Sequence, residues 1–482
     1  MMEDKSQSEV LTIKDAIKII KSDEPIDVEP LKLKVYKKRW LMLIIYMIYS
    51  GSNSFQWIEY SIITNIITRY YGVSSMMIDW TSMLFLAIYT VFIFPVSYMT
   101  DKCGLRWTII IGAGINCLGT WIKMFSIQPD RIYVVFIGQS IVALAQTMLL
   151  PLPGRLAAQW FPPTQLSTAT SLSIFGNQLG VALSFLLGPI IVKNHNNLDD
   201  IGKDLSRLCW MIAIVCTIAF ALVLTLFQNG PKLPPSKTRA LQKMNRTKKR
   251  EKFMEPIKRL YRNKNFIMLC NSYGLNIGVF NVMSTLLNQI FLAHFENGEE
   301  DAGRIGLIMI LTGMIGSVSF GIILDKTHKY KQTAVTVYFL TFCGQILFTV
   351  FTCMGIKWMV YVSAIFLGYF MSGYLAMGFD LCTEFTYPES ENIPAGLLNI
   401  TTSIYGIILI ISLGLLMNIY GDIPVHICLC LALLLGFILT AITKDKQRRQ
   451  DAIKRAQFER IARIEKQTDG VPEMTQLTYS II

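Results

Sequence analysis

The sequence contains few charged residues for its length. Only 16% of its 482 residues are charged, whereas soluble globular proteins carry about 25%. Hydrophobic residues make up 52% of the chain. A water-soluble core cannot bury so many apolar side chains, so the composition excludes an ordinary soluble protein and favours a membrane protein.

The sequence also lacks the patterns that disulfides, metal sites and enzymes require. It has ten cysteines but no CxxC pair, and its four histidines stand at no ligand spacing from them. No segment between the apolar runs is large enough to hold a nucleophile, a base and an acid. We therefore expect no enzymatic activity, no catalytic residues, no cofactor and no metal site.

Apolar runs of roughly twenty residues, separated by short polar segments, dominate the chain. An α-helix of that length crosses about 30 Å of hydrocarbon. The pattern predicts an all-α membrane protein with twelve transmembrane helices in two six-helix halves. The predicted helices cover residues 40–69, 76–100, 105–127, 131–158, 167–192, 206–227, 265–293, 303–325, 333–354, 357–383, 394–419 and 423–443.

Basic residues predict the orientation of these helices. The net charge of +12 comes from Lys and Arg in the gaps between apolar runs, which argues against a nucleic-acid partner. Because such loops stay in the cytoplasm, both termini and the central loop are predicted to be cytoplasmic. The predicted parts are an N-terminal tail (1–39), an N-terminal six-helix half (40–228), a basic linker (229–264), a C-terminal six-helix half (265–443) and a C-terminal tail (444–482).

One loop pattern occurs twice, at matching places in the two halves. Asp101-Lys102-Cys-Gly-Leu-Arg106 follows the second helix, and Asp325-Lys326 ends the eighth. This duplication is typical of transporters. An acid at a helix end followed by bases can form contacts between the halves in one conformation that break in the other. We assign gating to Asp101, Lys102, Arg106, Arg155, Asp325, Lys326 and Glu384.

Polar residues at helical spacing predict which faces line a cavity. A polar stripe on a spanning helix should face protein or water. Such stripes are Asn53, Trp57, Ser61 and Thr64 in helix one; Gln139, Ala143 and Gln146 in helix four; Tyr273, Phe280, Asn281, Ser284 and Asn288 in helix seven; and Asn399, Ser403 and Tyr405 in helix eleven. Glu59 lies about 200° around the helix from Trp57, so we expect it to point away from the stripe, toward Lys123 or another helix.

The loop motif Asp101-Lys-x-Gly-x-Arg106 resembles that of the major facilitator superfamily. Further stretches are similar to the feline leukaemia virus subgroup C receptor family: Ser54-Phe-Gln-Trp57-Ile-Glu-Tyr-Ser-Ile-Ile, Asn116-Cys-Leu-Gly-Thr-Trp-Ile-Lys123, Gly176-Asn-Gln-Leu-Gly180, Ser284-Thr-Leu-Leu-Asn-Gln289, Ala302-Gly-Arg-Ile-Gly-Leu307 and Thr386-Tyr-Pro-Glu-Ser-Glu391. The resemblance implies facilitated transport of choline and ethanolamine, with haem export also attributed to the family.

The resemblance also implies a substrate site. The family lines its choline site with a tryptophan of helix one, a glutamine of helix four, a tyrosine of helix seven and a glutamine of helix eleven. Trp57 and Gln146 match the first two. Asn281 and Ser403 stand where the tyrosine and the second glutamine are expected, and Phe280 or Tyr273 would replace the missing tyrosine. Trp57 is the best single candidate because a quaternary ammonium is recognised by aromatic faces.

We therefore expect an alternating-access transporter of a small organic solute, choline or ethanolamine, working by facilitated diffusion. A haem exporter or importer is the first alternative, and a surface receptor that transports nothing is the second. Against haem, all four histidines fall at span ends or in loops, whereas haem iron is commonly held by histidine. We expect a monomer in the lipid bilayer of the cell membrane, with an intracellular membrane such as the mitochondrial one as the alternative.

Overall fold

The computed structural model describes residues 36–162, 165–231, 254–327, 329–387 and 392–444. Regular structure in these ranges is helical. The long helices are α1 (Lys38–Ile58), α2 (Ser75–Thr100), α3 (Lys102–Ser126), α4 (Ile132–Leu149), α5 (Leu166–Ile191), α6 (Leu198–Leu226), α7 (Lys264–Leu292), α8 (Glu299–Thr327), α9 (Tyr330–Cys353), α10 (Lys357–Thr386), α11 (Asn392–Tyr420) and α12 (Asp422–Ile442). Short helices cover Thr64–Tyr71, Pro153–Trp160 and Met254–Tyr261.

Eleven of the long helices, α2 to α12, are long and apolar enough to span a membrane. The prediction of an all-α, multi-pass membrane protein is confirmed. Helix α1 is less apolar because its second half carries Ser50, Ser52, Asn53, Ser54 and Gln56, which are all buried. These side chains face other helices, so α1 belongs to the same bundle.

The bundle has two ends, which we name by their loops. The linker end is the end at which α6 runs into the 229–264 linker. The far end is the opposite one, where α5 is joined to α6, α7 to α8 and α11 to α12. The predicted tails lie mostly outside the described residues.

Helix α1 is interrupted, although the sequence predicts one helix over 40–69. It ends at Ile58, a 3₁₀ turn follows at Ser61–Ile63, and the chain is helical again over Thr64–Tyr71. The break lies inside the bundle: Glu59 is 2% exposed and forms an ion pair with Lys123 of α3. The expectation that Glu59 points toward Lys123 is confirmed.

Two other predicted boundaries are wrong. The helix predicted over 131–158 is divided, because Pro151 and Pro153 lack the amide hydrogens that a continuous helix needs, and Pro153 instead opens the short helix Pro153–Trp160. Helix α6 begins at Leu198 and not at 206. Its start is capped by the Asn197 side chain, which accepts a hydrogen bond from the Asp199 amide at 3.1 Å.

The turn between α2 and α3 depends on the glycine of the loop motif. Gly104 has φ 79° and ψ 171°, whereas the residues around it are helical. Glycine adopts positive φ at little cost because it has no Cβ. Gly104 therefore lets the chain reverse between two spanning helices without a longer loop.

Small residues set the close packing of the helices. Gly51 of α1 faces Gly180 of α5, and a Cβ added to Gly180 would overlap the Gly51 backbone. Such pairs let helix backbones approach in a membrane, where apolar side chains gain little by leaving lipid. Helix α7 is the most enclosed span. In its apolar stretch 89% of the residues are buried, compared with 33–50% in the other spans. It is therefore the central helix of the C-terminal half.

Polar side chains fill the interior of the N-terminal half. Asn53 donates to Asn116 at 2.9 Å, Thr120 donates to Gln56 at 3.1 Å, and Gln139 donates to the Gln56 carbonyl at 2.9 Å. A hydrogen-bonded network of this kind holds α1, α3 and α4 in fixed positions, because each group would be costly to bury alone.

Candidate substrate site and gate

Trp57 lies just before the break in α1. It is half-buried and packs against the cluster formed by Phe85 of α2 with Val142 and Ala143 of α4. Phe85 is the eleventh residue of α2, so it lies about 15 Å from the far end of that helix. The Trp57 ring therefore stands near the middle of the membrane span, beside a second aromatic ring.

Gln146 follows this cluster on α4. It lies three and four residues from Ala143 and Val142, one turn toward the linker end, so it shares their helix face. Its side chain is half-buried and forms no hydrogen bond with any residue that the structure describes. Trp57 and Gln146 thus lie on the same wall of the N-terminal half, and the Gln146 amide is available to a ligand.

Asn281 occupies the junction of three helices. It is 4% exposed, and a Cβ added to Gly406 of α11 would lie 2.7 Å from its Nδ2 atom and 2.9 Å from Leu86 of α2. Gly406 therefore makes room for Asn281 against α2. Since Leu86 is next to Phe85, Asn281 and Trp57 lie at a similar depth, against faces of α2 that are about 100° apart.

Ser403 lies one turn from Gly406, toward the linker end of α11. It is buried, and its hydroxyl donates to the Asn399 carbonyl at 3.1 Å. The hydroxyl oxygen can still accept a hydrogen bond. On the same side of α11, Asn399 interacts with the Tyr89 hydroxyl of α2.

The two aromatic candidates of α7 are placed differently from this group. The Tyr273 hydroxyl donates to the Leu375 carbonyl at 3.2 Å, and its ring packs 6.2 Å from Tyr374 and 5.9 Å from Phe379 of α10. Phe280 is 9% exposed within the main hydrophobic core. The structure therefore turns Tyr273 toward the interior of the C-terminal half and not toward Trp57.

Two of the polar stripe residues also face elsewhere. Asn53 and Gln139 share the stripes of Trp57 and Gln146 in the sequence, but both are 0% exposed and are bonded inside the N-terminal half. Helical spacing alone does not separate a residue that lines a cavity from one that joins two helices.

A polar seam joins the two halves between the site and the far end. Asp79 of α2 is 1% exposed and accepts a hydrogen bond from Gln289 of α7 at 2.8 Å. One helical turn closer to the linker end, the hydroxyls of Ser82 and Thr285 are 3.1 Å apart. The second Asp79 oxygen has no hydrogen-bond partner among the described residues and reaches toward Gly414 of α11.

The rim of the far end carries further bonds between the halves. Asn65 donates to Glu299 at 2.8 Å, and Asn194 donates to the same carboxylate at 3.0 Å. Lys193 forms an ion pair with Glu300 at 3.0 Å. These contacts, together with the Asp79 and Ser82 bonds, close the far end above the site.

The predicted gating residues all lie at the linker end. Lys102, Arg106 and Lys326 are exposed, Arg155 is half-buried and Glu384 is 2% exposed. The side chains of Asp101 and Asp325 are outside what the structure describes. The backbone amide of Arg106 lies 3.4 Å from Asn229, and Lys102 lies 4.6 Å above the Tyr98 ring. Lys102, Arg106 and Lys326 form no ion pair within the described part of the chain.

The sequence did not point to the seam. Asp79 stands in the first turn of the helix predicted over 76–100, where a charged residue is ordinary. Gln289 was part of a stretch that carried the family resemblance and had no role of its own. The one available signal is that Asp79, Ser82 and Leu86 share a helix face, which predicts a polar contact beside the site.

The model of the Major Facilitator Superfamily matches residues 42–410. The choline/ethanolamine transporter FLVCR2 of Rattus norvegicus is 42% identical over 424 residues, which cover 88% of this chain and 78% of the rat protein. FLVCR2 of Homo sapiens is also 42% identical and is covered over 80% of its length.

Among solved structures, a bacterial homologue of the human lysosomal transporter Spinster, in an inward-facing and occupied conformation, matches with a TM-score of 0.60. The match covers 85% of this chain and 94% of that one at 12% identity, so it bears on the fold alone. The major facilitator fold predicted from the sequence is confirmed.

Proposed function

Because the chain belongs to the Major Facilitator Superfamily and, within it, to the family of the FLVCR transporters, we propose that it carries choline and ethanolamine across a membrane by facilitated diffusion. The protein is a membrane transporter and not an enzyme. The single observation that carries the choice of substrate is Trp57, a half-buried indole at mid-membrane beside Phe85. Aromatic faces are the groups that hold a quaternary ammonium, which cannot donate hydrogen bonds.

In this proposal, Trp57 and the residues around it bind different parts of the substrate. The indole binds the cationic head, and the Gln146 amide hydrogen-bonds the hydroxyl. Asn281 and Ser403 contribute polar atoms from the other half. The head group of ethanolamine has ammonium hydrogens, so it can also donate hydrogen bonds to the amide oxygens of Gln146 and Asn281. The quaternary head group of choline has none and is held by Trp57 alone.

The histidines favour choline or ethanolamine over haem, because haem iron is commonly held by histidine and no described histidine lies near Trp57. The described histidines, His195, His294 and His426, all stand near the far end.

We further propose how the two ends alternate. In this proposal the linker end lies in the cytoplasm, because basic loops stay on that side, and both termini lie there too, in the cell membrane. The seam of Asp79, Ser82, Gln289 and Thr285 then closes the extracellular side. In the other state this seam opens and the gating residues close the cytoplasmic side. These are Asp101, Lys102, Arg106, Arg155, Asp325, Lys326 and Glu384. The division into halves at the linker and a monomeric unit belong to the same proposal.

The test is uptake of radiolabelled choline, ethanolamine and haem, measured side by side in cells that express the chain. Trp57→Ala should lower choline uptake about tenfold or more, because cation–π attraction in a dry site is about 2 kcal/mol and 1.4 kcal/mol is tenfold. Trp57→Phe should lose less. Trp107→Ala is the matched control, since Trp107 is 61% exposed on the outside of α3.

Four outcomes would contradict the proposal. Choline uptake that is unchanged in Trp57→Ala would remove Trp57 from the site. Transport of haem without choline would favour the haem alternative, and transport of none of the three by a surface-expressed chain would favour the receptor alternative. An epitope tag at position 240 that antibodies reach on intact cells would refute the orientation.

A further inference from the structure

Potential metal ligands from three helices meet at the far end of the C-terminal half. His294 follows α7, Cys353 ends α9, and Asp422 begins α12. Their ligand atoms all lie within 4.8 Å of one another. His294 Nε2 is 2.6 Å from Asp422 Oδ2. Neither the proposed substrate site nor the seam uses any of these residues.

His426 is a fourth potential ligand and an independent sign that something binds here. Its side chain is 0% exposed, and its Nε2 atom has no hydrogen-bond partner among the described residues. That atom lies 3.9 Å from Asp422 Oδ2. Burying a ring nitrogen without a partner is unfavourable, so the arrangement is explained if Nε2 binds a ligand that it shares with Asp422.

The other nitrogen of His426 is already held in place. Its Nδ1 atom lies 3.1 Å from the hydroxyl of Thr349 on α9. A metal-bound histidine usually donates its second ring N–H to a neighbouring oxygen, which fixes the tautomer and leaves the free nitrogen for the metal. The Thr349 contact leaves Nε2 as the atom that points to Asp422.

We propose that His294, Cys353, Asp422 and His426 bind one Zn²⁺ ion. Two imidazoles, a thiolate and a carboxylate are ligands that Zn²⁺ takes in tetrahedral sites, whereas Ca²⁺ and Mg²⁺ prefer oxygen alone. Binding requires the Cys353 thiolate, so the thiol proton leaves to water as the sulfur–zinc bond forms.

The distances among His294, Cys353 and Asp422 suit a small adjustment on binding, whereas His426 lies outside this close group and must move toward it. Zinc–ligand bonds of about 2.0–2.3 Å at tetrahedral angles place the ligand atoms about 3.3–3.5 Å apart. The His426 to Asp422 separation of 3.9 Å is close to this range. The His294 to Asp422 pair must move apart by less than about 1 Å, because the ion replaces their hydrogen bond.

The ion would link three helices that are far apart in sequence, which is why the spacing of cysteines and histidines predicted no metal site. Cys353 is exposed, and the side chains of His294 and Asp422 are 21% and 15% exposed, so a cation reaches the ligands from the far end. The inference does not depend on the substrate that the protein carries.

The test is metal binding by the full chain, purified and placed in lipid nanodiscs. Equilibrium dialysis against ZnCl₂ should give one zinc per chain. Co²⁺ in the same site should show the absorption of a tetrahedral ion with a thiolate-to-cobalt band. Cys353→Ser should weaken the zinc Kd at least tenfold and abolish that band. The matched control is Cys103→Ser, because Cys103 is an exposed cysteine at the linker end and should change neither.

Two further variants separate a metal site from a structural role. Thr349→Val should weaken zinc binding about tenfold while the thiolate band stays, because the hydroxyl acts only through His426. His294→Gln should weaken binding as Cys353→Ser does, and each variant without metal should unfold at the wild-type temperature. Absence of stoichiometric zinc in the wild-type chain, or a Kd that neither Cys353→Ser nor His294→Gln changes, would overturn the proposal.

Discussion

Replacing Gln289 by methionine tests whether the far-end seam controls the conformational equilibrium. The change keeps the size of the side chain but removes the N–H group that donates to Asp79 at 2.8 Å. Asp79 is 1% exposed and its second oxygen already has no partner among the described residues, so the variant leaves a buried carboxylate without a hydrogen bond. The cost falls on the closed far end alone, because opening it admits water to Asp79.

The size of the effect follows from that asymmetry. Leaving a buried acceptor unsatisfied costs about 1–3 kcal/mol. This corresponds to a shift of about 5- to 150-fold toward the state with an open far end. The cost disappears if both partners become apolar, so Asp79→Leu combined with Gln289→Met should return the equilibrium close to that of the wild type.

The assay is the reactivity of a cysteine placed in the seam. Ser82→Cys is suitable because Ser82 is 1% exposed and becomes accessible only when the far end opens. The background carries Cys353→Ser, and a membrane-impermeant maleimide is added to intact cells. The cysteine at position 82 should be labelled about 5- to 150-fold faster when Gln289→Met is also present. Gln332→Met, an exposed glutamine at the linker end, is the control. Equal labelling rates in Gln289→Met and the control would refute the reasoning.

Three other predictions concern packing and motion. Lys123→Met should lower the free energy of unfolding by about 3–5 kcal/mol, because it leaves Glu59 buried without its partner, and Glu59→Gln in the same chain should recover much of the loss in a thermal unfolding assay. Ser82→Cys with Thr285→Cys should cross-link under oxidant and stop uptake until reductant is added, since the native hydroxyls are 3.1 Å apart; uptake that survives complete cross-linking would show that the seam need not open. Gly180→Val should reduce the yield of folded protein, whereas a normal yield and thermal midpoint would show that α1 and α5 can separate at Gly51.

The sequence predicted the helices well because membrane spans are defined by length and apolarity alone. It failed at α1 and α4, where the apolar run is interrupted, and at the start of α6. In α4 the prolines at 151 and 153 were visible and end the helix. In α1 the break at Glu59 involves Lys123, a residue from another helix, and no local pattern reports such a contact.

The candidate site was only partly predictable, for a physical reason that α7 illustrates. Periodicity separates a buried face from an exposed one, but α7 is buried on nearly all sides. Tyr273 and Asn281 therefore look alike in the sequence, although one packs against α10 and the other meets α2 and α11. Trp57 and Gln146 were predictable because the family resemblance marked them, and the structure places both beside Val142 and Ala143.

The buried pair between Glu59 and Lys123 has a consequence for how the protein is made. The two residues are 64 positions apart, so at roughly 5–20 residues per second the ribosome needs roughly 3–13 s to synthesise Lys123 after Glu59. During that time α1, the least apolar of the long helices, has emerged with a carboxylate and no counter-charge. A charged side chain within a membrane span is unfavourable unless it is paired with another group. The first helix should therefore wait at the edge of the translocon until α3 arrives, and the two should enter the lipid together as one unit.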